Sequence, residues 1–278
     1  MPTKYAEVRG YATYYYYVGA TTLPDVVPDL TRGRTVVLIH AAGSNAHSWH
    51  YQYDHLGKAH SPIALDLPGH GRSSGVEGLR TVQDYADFVA AFLDELKIKS
   101  AVIVGRSMGG AVAMDFTLRY PAKTQALGLI ATAAKFNLPP ELIETWRAVT
   151  MGRMGQPFAN GGYSPKTIAQ HPEIIREGWG EQIRTDPRTR WGDMVACSQV
   201  DLREQIARID KPTLIIAGAD DETTPPAMAE LLASKIKSSR LEMIPDAGHY
   251  VTSEQPAAVN AALDKFLAEL HWREDTLA

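Results

Sequence analysis

The sequence Gly105-Arg106-Ser107-Met108-Gly109 follows directly on the apolar run 101–104. A G-x-S-x-G in this place predicts a sharp turn from a buried strand into a helix. The turn holds the serine hydroxyl clear of the backbone, and the flanking glycines leave the space that it needs. Apolar side chains then recur at helical spacing as far as Tyr120-Pro121, where the proline ends the helix. We therefore expect Ser107 to be an exposed nucleophile.

Strand and helix patterns alternate along much of the chain. Apolar or β-branched stretches predict strands at 11–18, 36–40, 63–66, 101–104, 127–131, 213–217 and 241–244. Amphipathic patterns predict helices at 82–96 and 259–270. The tyrosine run 14–17 is expected to pack both faces of an outer strand. Short apolar strands between amphipathic helices are typical of an α/β fold, here a mostly parallel, doubly wound sheet with helices on both faces.

One long stretch, 132–207, interrupts this alternation. It contains helical patterns near 139–150, 165–177 and 188–198 and no convincing strand. We predict a core domain formed by 1–131 and 208–278, with 132–207 inserted after the sixth strand as a helical cap.

Composition narrows the classes of function. A chain of 278 residues is long enough for one large α/β domain, and its net charge of −4 without a clustered basic stripe argues against a nucleic-acid partner. Cys197 is the only cysteine, the first residues lack an apolar signal segment, and no apolar run approaches the ~18 residues of a membrane span. We expect a cytoplasmic protein. The oligomeric state is not predicted.

Histidines are concentrated in one region, with six of the nine between positions 40 and 70. A zinc site would need further ligands at suitable spacing, and no carboxylate or cysteine completes a convincing set. The helical HExxH pattern is also absent. We therefore predict no metal.

A serine hydroxyl is a weak nucleophile at neutral pH unless an imidazole takes its proton and a carboxylate orients that imidazole. In this architecture the order along the chain is serine, acid, histidine, each after a strand. Asp220-Asp221 follows the strand at 213–217, and His249 follows the strand at 241–244. Position alone leaves both aspartates open.

Five motifs carry a resemblance to a known family. They are His40-Ala41-Ala42-Gly43, Asp66-Leu67-Pro68-Gly69-His70-Gly71-Arg72-Ser73, Gly105-Arg106-Ser107-Met108-Gly109, Gly218-Ala219-Asp220-Asp221-Glu222-Thr223-Thr224-Pro225 and Ala247-Gly248-His249. In this order they resemble the α/β-hydrolase superfamily over nearly the whole chain, most closely the small esterases, enol-lactonases and cofactor-free perhydrolases with a helical cap.

The resemblance implies a role for each residue and no cofactor. Ser107 is then the nucleophile, His249 the general base and acid, and Asp221, by the family's G-x-x-D-x-x-T-P spacing, the third member. The main-chain amides of Met108 and Ala42 are the implied oxyanion donors. His40 is implied to hold the oxyanion loop, in which this chain has Ala41 where many relatives have glycine.

The predicted reaction is hydrolysis of a small-molecule carboxylic ester through an acyl-enzyme. Possible walls of the substrate pocket are the large apolar residues of the cap, Trp146, Met151, Met154, Phe158, Trp179 and Trp191. Because they come with no obvious carboxylate-binding arginine, we expect uncharged esters of short to medium acyl chains. A lactonase or perhydrolase with the same residues is an alternative. Since this fold has been reused, a ligand receptor or a lyase is another.

Overall fold

The computed structural model describes residues 2–23, 26–158 and 161–270. Eight strands form one sheet: β1 Thr3–Val8, β2 Tyr11–Tyr16, β3 Thr35–Ile39, β4 Ser61–Leu65, β5 Ala101–Arg106, β6 Thr124–Ile130, β7 Thr213–Gly218 and β8 Ser239–Ile244. Ten α-helices accompany them: α1 His50–Leu56, α2 Val82–Glu95, α3 Met108–Arg119, α4 Pro140–Thr150, α5 Pro165–Gln170, α6 Pro172–Gln182, α7 Pro187–Gln199, α8 Pro226–Lys235, α9 Val251–Glu254 and α10 Pro256–Glu269.

The sheet has the order β1-β2-β4-β3-β5-β6-β7-β8. The strands from β4 to β8 in this order are parallel, and β1 and β2 form an antiparallel extension in which β2 pairs with β4. All of the parallel strands therefore end at one edge, where Ser107 follows β5 in the middle of the sheet. The predicted α/β class and the mostly parallel sheet are confirmed.

The expectation for the tyrosine run was wrong in one respect. Tyr14, Tyr15 and Tyr16 lie in β2, which has β1 between it and the edge of the sheet. Strand β1 was not predicted because its sequence includes charged side chains such as Lys4 and Glu7. In the structure most of its residues are exposed or half-buried. A solvated edge strand of this kind lacks the apolar run by which strands are recognised.

The core lies on both faces of the sheet. In β3, Val37 and Ile39 pack toward α2 and α3, while Val36 and Leu38 pack toward α1 and α10. This alternation is what the two-residue repeat of a strand dictates. All six residues of β5 are buried, so the strand that carries Ser107 is held from both sides.

Between β6 and β7, the described residues 132–158 and 161–207 contain helices α4 to α7 and no strand, apart from one isolated bridge between Lys135 and Asp201. The predicted helix at 165–177 is in fact two helices, since the chain breaks at His171, whose φ of −132° is extended ahead of Pro172. Whether 132–207 is a separate cap domain stays a prediction. The predicted core domain begins at residue 1 and ends at residue 278, and both of these positions lie outside the described residues. None of the helices in the described part of the chain is long and apolar enough to cross a bilayer.

Candidate active site

The turn after β5 is strained and tightly packed. Ser107 has φ 53° and ψ −121°, a conformation that costs free energy for a residue with a side chain and persists only where its surroundings impose it. A Cβ at Gly105 would lie 2.0 Å from the Gly109 carbonyl oxygen, and a Cβ at Gly109 would lie 2.3 Å from the Ile39 carbonyl oxygen. Both glycines are therefore required by close approach of backbone to backbone.

Three of the predicted side chains form one chain of hydrogen bonds. The Ser107 Oγ lies 3.0 Å from Nε2 of His249, and Nδ1 of the same ring lies 2.9 Å from Oδ2 of Asp221. The hydrogen-bond partners of His249 indicate that Nδ1 carries the proton, because the Asp221 carboxylate can only accept there. Nε2 is then free to take the serine proton. The main-chain amide of His249 donates to the Gly162 carbonyl at 2.5 Å, which fixes the start of its loop.

Asp221, and not Asp220, faces the imidazole. Its carboxylate is 2% exposed and also accepts bonds of 2.8 Å from the amides of Thr223 and Thr224 and from the Thr224 hydroxyl. Burial favours the neutral acid, but the hydrogen bonds from His249 and Thr224 outweigh it and hold the pKa of Asp221 below its ordinary value. Asp220 is exposed and its amide bonds to the Ala247 carbonyl.

The two implied oxyanion donors lie at the ends of neighbouring strands. Met108 is the first residue of α3, so its amide has no acceptor within the helix. Ala42 follows β3, next to β5 in the sheet, and both Ala42 and Ser107 line one cavity. Neither the Ala42 nor the Met108 amide donates a hydrogen bond to another residue of the described chain.

His40 holds the loop after β3 rather than facing the serine. Its Nδ1 bonds to the Ala41 carbonyl at 2.8 Å, and its Nε2 accepts from the Leu67 amide at 3.1 Å. Burial holds the pKa of His40 well below its ordinary value, so the ring is neutral and suited to donate at one nitrogen and accept at the other. This is the structural role that the resemblance implies.

Asp193 is a residue that the sequence analysis missed. It lies on α7, is fully buried, and accepts hydrogen bonds from the Gly43 amide at 2.7 Å, His70 Nε2 at 2.8 Å and the Tyr85 hydroxyl at 2.6 Å. Burial opposes the charged form of His70, but the Asp193 carboxylate outweighs it and raises the pKa of that imidazole. An acidic residue between Trp191 and Met194 in a predicted helix was the available signal, and its partners are all distant in sequence.

A cavity of about 300 Å³ opens above Ser107 and His249. Its apolar walls include Phe136, Leu138 and Trp146. Trp146 is thus placed as predicted, whereas the other five predicted wall residues are not among those that line it. Met151, Met154 and Phe158 are exposed, at 50%, 43% and 60%. Trp179 packs edge-on against Phe158, and Trp191 lies under the Arg80 guanidinium. Met151, Met154 and Phe158 follow the end of α4 at Thr150, so no helical face directs them toward the cavity.

The cavity also contains two arginines, so the premise for an uncharged substrate was wrong. Arg106, from the nucleophile turn, is 5% exposed, and Arg190 lies on α7; both line the cavity. The pentapeptide does not indicate this position, because the ring that Arg106 contacts belongs to Tyr250, which is remote in sequence.

A further cluster lies at the same cavity. Glu177 of α6 is 3.6 Å from Nε2 of His50, and one ligand atom from each of His47, His50 and Glu177 lies within 4.8 Å of the others. Glu177, which is remote from these histidines in sequence, is thus the carboxylate nearest to such a ligand set. Ligand atoms around tetrahedral zinc are about 3.3 Å apart at metal–nitrogen bonds of about 2.0 Å. Because the three atoms are required only to lie within 4.8 Å of one another and Glu177 is exposed, we assign no metal to this group.

A second cavity, of about 1410 Å³, lies at the opposite end of the sheet. It is lined by residues at the amino ends of the strands, among them Thr35, Thr124 and Thr213. Ligands of open α/β sheets bind outside the carboxyl ends of the strands, which is where the smaller cavity and Ser107 lie.

Comparison with known proteins agrees with this fold. The model of the alpha/beta hydrolase family matches residues 36–262. The chain belongs to the alpha/beta hydrolase family. It is 28% identical over 236 residues to 3-oxoadipate enol-lactonase 2 of Acinetobacter baylyi, which covers 82% of this chain and 86% of that protein. It is 30% identical over 240 residues to a pimeloyl-[acyl-carrier protein] methyl ester esterase of Neisseria meningitidis serogroup B, covering 82% and 88%.

Among solved structures, a thermophilic esterase from Thermogutta terrifontis superimposes with a TM-score of 0.84 at 24% identity. The superposition covers 98% of this chain and 100% of the esterase chain. At this identity the likeness supports the fold. The chain is thus a member of the alpha/beta hydrolase family whose Ser107 lines a cavity at the carboxyl ends of the strands.

Proposed function

We propose that this protein is a serine hydrolase that cleaves a small carboxylic ester through an acyl-enzyme. The observation that supports this most directly is the hydrogen-bonded series Ser107–His249–Asp221 at the floor of the cavity. The relationship to an enol-lactonase and to a methyl ester esterase supports acyl transfer to water as the reaction type.

In this proposal, His249 Nε2 takes the proton of Ser107 as the serine oxygen attacks the ester carbonyl. The amides of Met108 and Ala42 stabilise the negative oxygen of the tetrahedral intermediate, each through a main-chain N–H already in place. His249 then gives its proton to the leaving alcohol. Water, deprotonated by the same ring, attacks the acyl-enzyme and releases the acid and Ser107.

Asp221 acts through the imidazole. Because its pKa is lowered, it is ionised at neutral pH and stabilises the imidazolium that forms in each half-reaction. We also propose that 132–207 is a cap, since Trp146 of α4 and Arg190 of α7 line the cavity together with Ser107 and His249.

A cyclic ester is the second candidate substrate. The likeness to 3-oxoadipate enol-lactonase 2 favours it, and a lactone is opened by the same steps, except that the leaving alcohol stays attached to the acyl group. A cavity of about 300 Å³ is small, which limits either substrate to a compact molecule.

The test is a panel of p-nitrophenyl esters and γ- and δ-lactones of graded size, measured with the wild type and with Ser107→Ala. We expect many turnovers per protein and a loss of at least about a thousandfold in kcat for Ser107→Ala. Release of one equivalent without further turnover would favour a receptor over an enzyme. Undiminished activity in Ser107→Ala would contradict the proposal.

A further inference from the structure

Arg106 is a buried charge without a countercharge in contact. Its side chain is 5% exposed, lines the cavity beside Ser107, and makes no hydrogen bond or salt bridge to another residue of the described chain. Its one close partner is the ring of Tyr250, 5.3 Å from the guanidinium carbon. A buried guanidinium lacking a partner is costly, and arginine stays protonated in proteins, so deprotonation does not relieve that cost.

Arg190, on α7, lines the same cavity. Its guanidinium stacks over Trp146 at 4.4 Å and donates from Nη1 to Gln182 Oε1 at 3.0 Å, while its buried Nε has no hydrogen-bond partner among the described residues. Gln182 in turn donates to the Tyr250 hydroxyl at 2.7 Å. Arg106 thus contacts Tyr250 directly, and Arg190 is linked to it through Gln182. Tyr250 is the residue after the proposed catalytic histidine.

The acidic residues of the cavity do not neutralise these two charges. Glu181 bonds to Arg184 at 2.9 Å and accepts from Asn45 at 2.7 Å, and Glu177 faces His50 at 3.6 Å. Each acid of the cavity thus has a partner, whereas neither guanidinium is in contact with a carboxylate. Burial lowers the pKa of both arginines, and the more distant carboxylates of Asp221 and Glu254 for Arg106 and of Asp193 for Arg190 offset it only in part.

We propose that Arg106 and Arg190 bind a carboxylate of the substrate, so that the preferred substrates are anionic esters or lactones, such as half-esters of small dicarboxylic acids. This inference rests on the proposed function and specifies its substrate class. Two guanidinium groups fit a carboxylate because their N–H donors match its planar oxygens and form charge-assisted bonds. The apolar walls Phe136, Leu138 and Trp146 then enclose the carbon chain between the carboxylate and the reacting carbonyl.

The test compares two esters of similar length that differ in charge, monomethyl adipate and methyl hexanoate. In the wild type, kcat/KM for monomethyl adipate should exceed that for methyl hexanoate. Arg190→Gln and Arg106→Gln should each reduce this preference by about 10- to 100-fold, the usual effect of losing a charge-assisted hydrogen bond. Half-esters from succinate to suberate would then measure the distance between the carboxylate site and Ser107.

Arg188→Gln is the matched control. Arg188 lies on the same helix, two residues from Arg190, is exposed and pairs with Asp186, so its loss should leave the preference unchanged. Arg106→Lys and Arg190→Lys keep the charge and should retain part of the preference, which separates a charge effect from a folding defect. If the Arg106→Gln protein does not fold, the Arg190 variants and Arg106→Lys still decide the question.

Binding to Ser107→Ala makes the outcome independent of turnover. Calorimetry should show tighter binding of monomethyl adipate than of methyl hexanoate, and the added Arg190→Gln change should remove the difference. Hydrolysis of both esters with no preference, together with equal binding, would overturn the anionic-substrate inference and leave the hydrolase proposal standing. Preferential anion binding without any hydrolysis would instead refute the proposed reaction.

Discussion

At the scale of single residues, the site depends on which of two adjacent carboxylates meets the imidazole. Asp220 and Asp221 differ by one position, yet Asp221 is buried among four hydrogen bonds and Asp220 is exposed. The reason is the turn 218–224, in which the amides of Thr223 and Thr224 point back at the second carboxylate and hold it under His249.

Replacing each aspartate by asparagine separates the two. Asp221→Asn should lower kcat by roughly 10³- to 10⁴-fold, because an amide neither stabilises the imidazolium nor fixes the productive tautomer. Asp220→Asn should remain within about threefold of the wild type, since surface changes away from the site have small effects. Initial rates with a p-nitrophenyl ester measure both, and the reverse pattern would show that the acid has been assigned to the wrong residue.

At the scale of elements, the strand-to-helix turn after β5 is held by close packing against β3. Gly109 lies so near this strand that an added Cβ would approach the Ile39 and His40 carbonyl oxygens at 2.3 and 2.5 Å. Neither backbone can move without disturbing the oxyanion loop that follows β3. The same contact that permits the strained Ser107 conformation thus positions the two proposed oxyanion amides relative to each other.

Two alanine substitutions test this packing. Gly109→Ala should lower the free energy of unfolding by at least about 3 kcal/mol, because the contact is with backbone and cannot be relieved by a rotamer change. Gly180→Ala lies within α6 with nothing within 4 Å of the added Cβ, and should raise it by about 0.5–1 kcal/mol through helix propensity. Urea titrations give both values. Equal tolerance of the two changes would contradict the packing argument.

Helix α7 positions the oxyanion loop from the other side. Asp193 accepts from the Gly43 amide and the Thr185 hydroxyl donates to the Gly43 carbonyl at 2.9 Å, so both main-chain polar groups of this loop residue are held. Asp193→Asn should cost about 3–5 kcal/mol of stability, the usual effect of removing one partner of a buried charged pair. Because the loop would lose its support, kcat should fall as well. Retained kcat in a destabilised Asp193→Asn protein would show that the loop is held without α7.

The sequence predicted these elements to different degrees. The parallel strands and the turn at Ser107 were predictable because buried strands are continuously apolar and the elbow needs glycines at fixed spacing. The edge strand β1 was not, since a solvated strand has no apolar run. Met151, Met154 and Phe158 were wrongly expected to line the cavity because they follow the end of α4 at Thr150, where no periodic pattern indicates the direction of a side chain. The cavity positions of Arg106 and Arg190 depend on contacts with Tyr250 and Trp146, which are remote in sequence.

At the scale of the whole molecule, the helices between β6 and β7 are joined to the sheet by a buried ion pair. Asp193 meets His70, which follows β4, and both side chains are inaccessible to solvent. The pKa of His70 is raised by this pair, so the folded state binds the imidazole proton more tightly than the unfolded chain. The resulting stabilisation is complete below about pH 6.5, the ordinary histidine value, and is lost as the pH rises through the raised value.

Stability measured against pH should reveal this pair. The difference in unfolding free energy between the wild type and His70→Asn should be largest in mildly acidic solution and should shrink as the pH increases. His171→Asn is a suitable control, because His171 is exposed and its pairing with Glu173 at the surface contributes little. Urea titrations from pH 5.5 to 9 provide the measurement. A difference that stays constant or grows with pH would show that His70 is neutral in the folded protein.

The proposed ester hydrolysis depends on Ser107 being the nucleophile that His249 activates. Labelling with a fluorophosphonate, followed by peptide mapping, tests this most directly, because the reagent bonds covalently to an activated serine. We predict one label per chain, on the peptide that carries Ser107, with much slower labelling in His249→Ala and none in Ser107→Ala. A label on another residue, or an undiminished label in Ser107→Ala, would show that Ser107 is not the activated nucleophile.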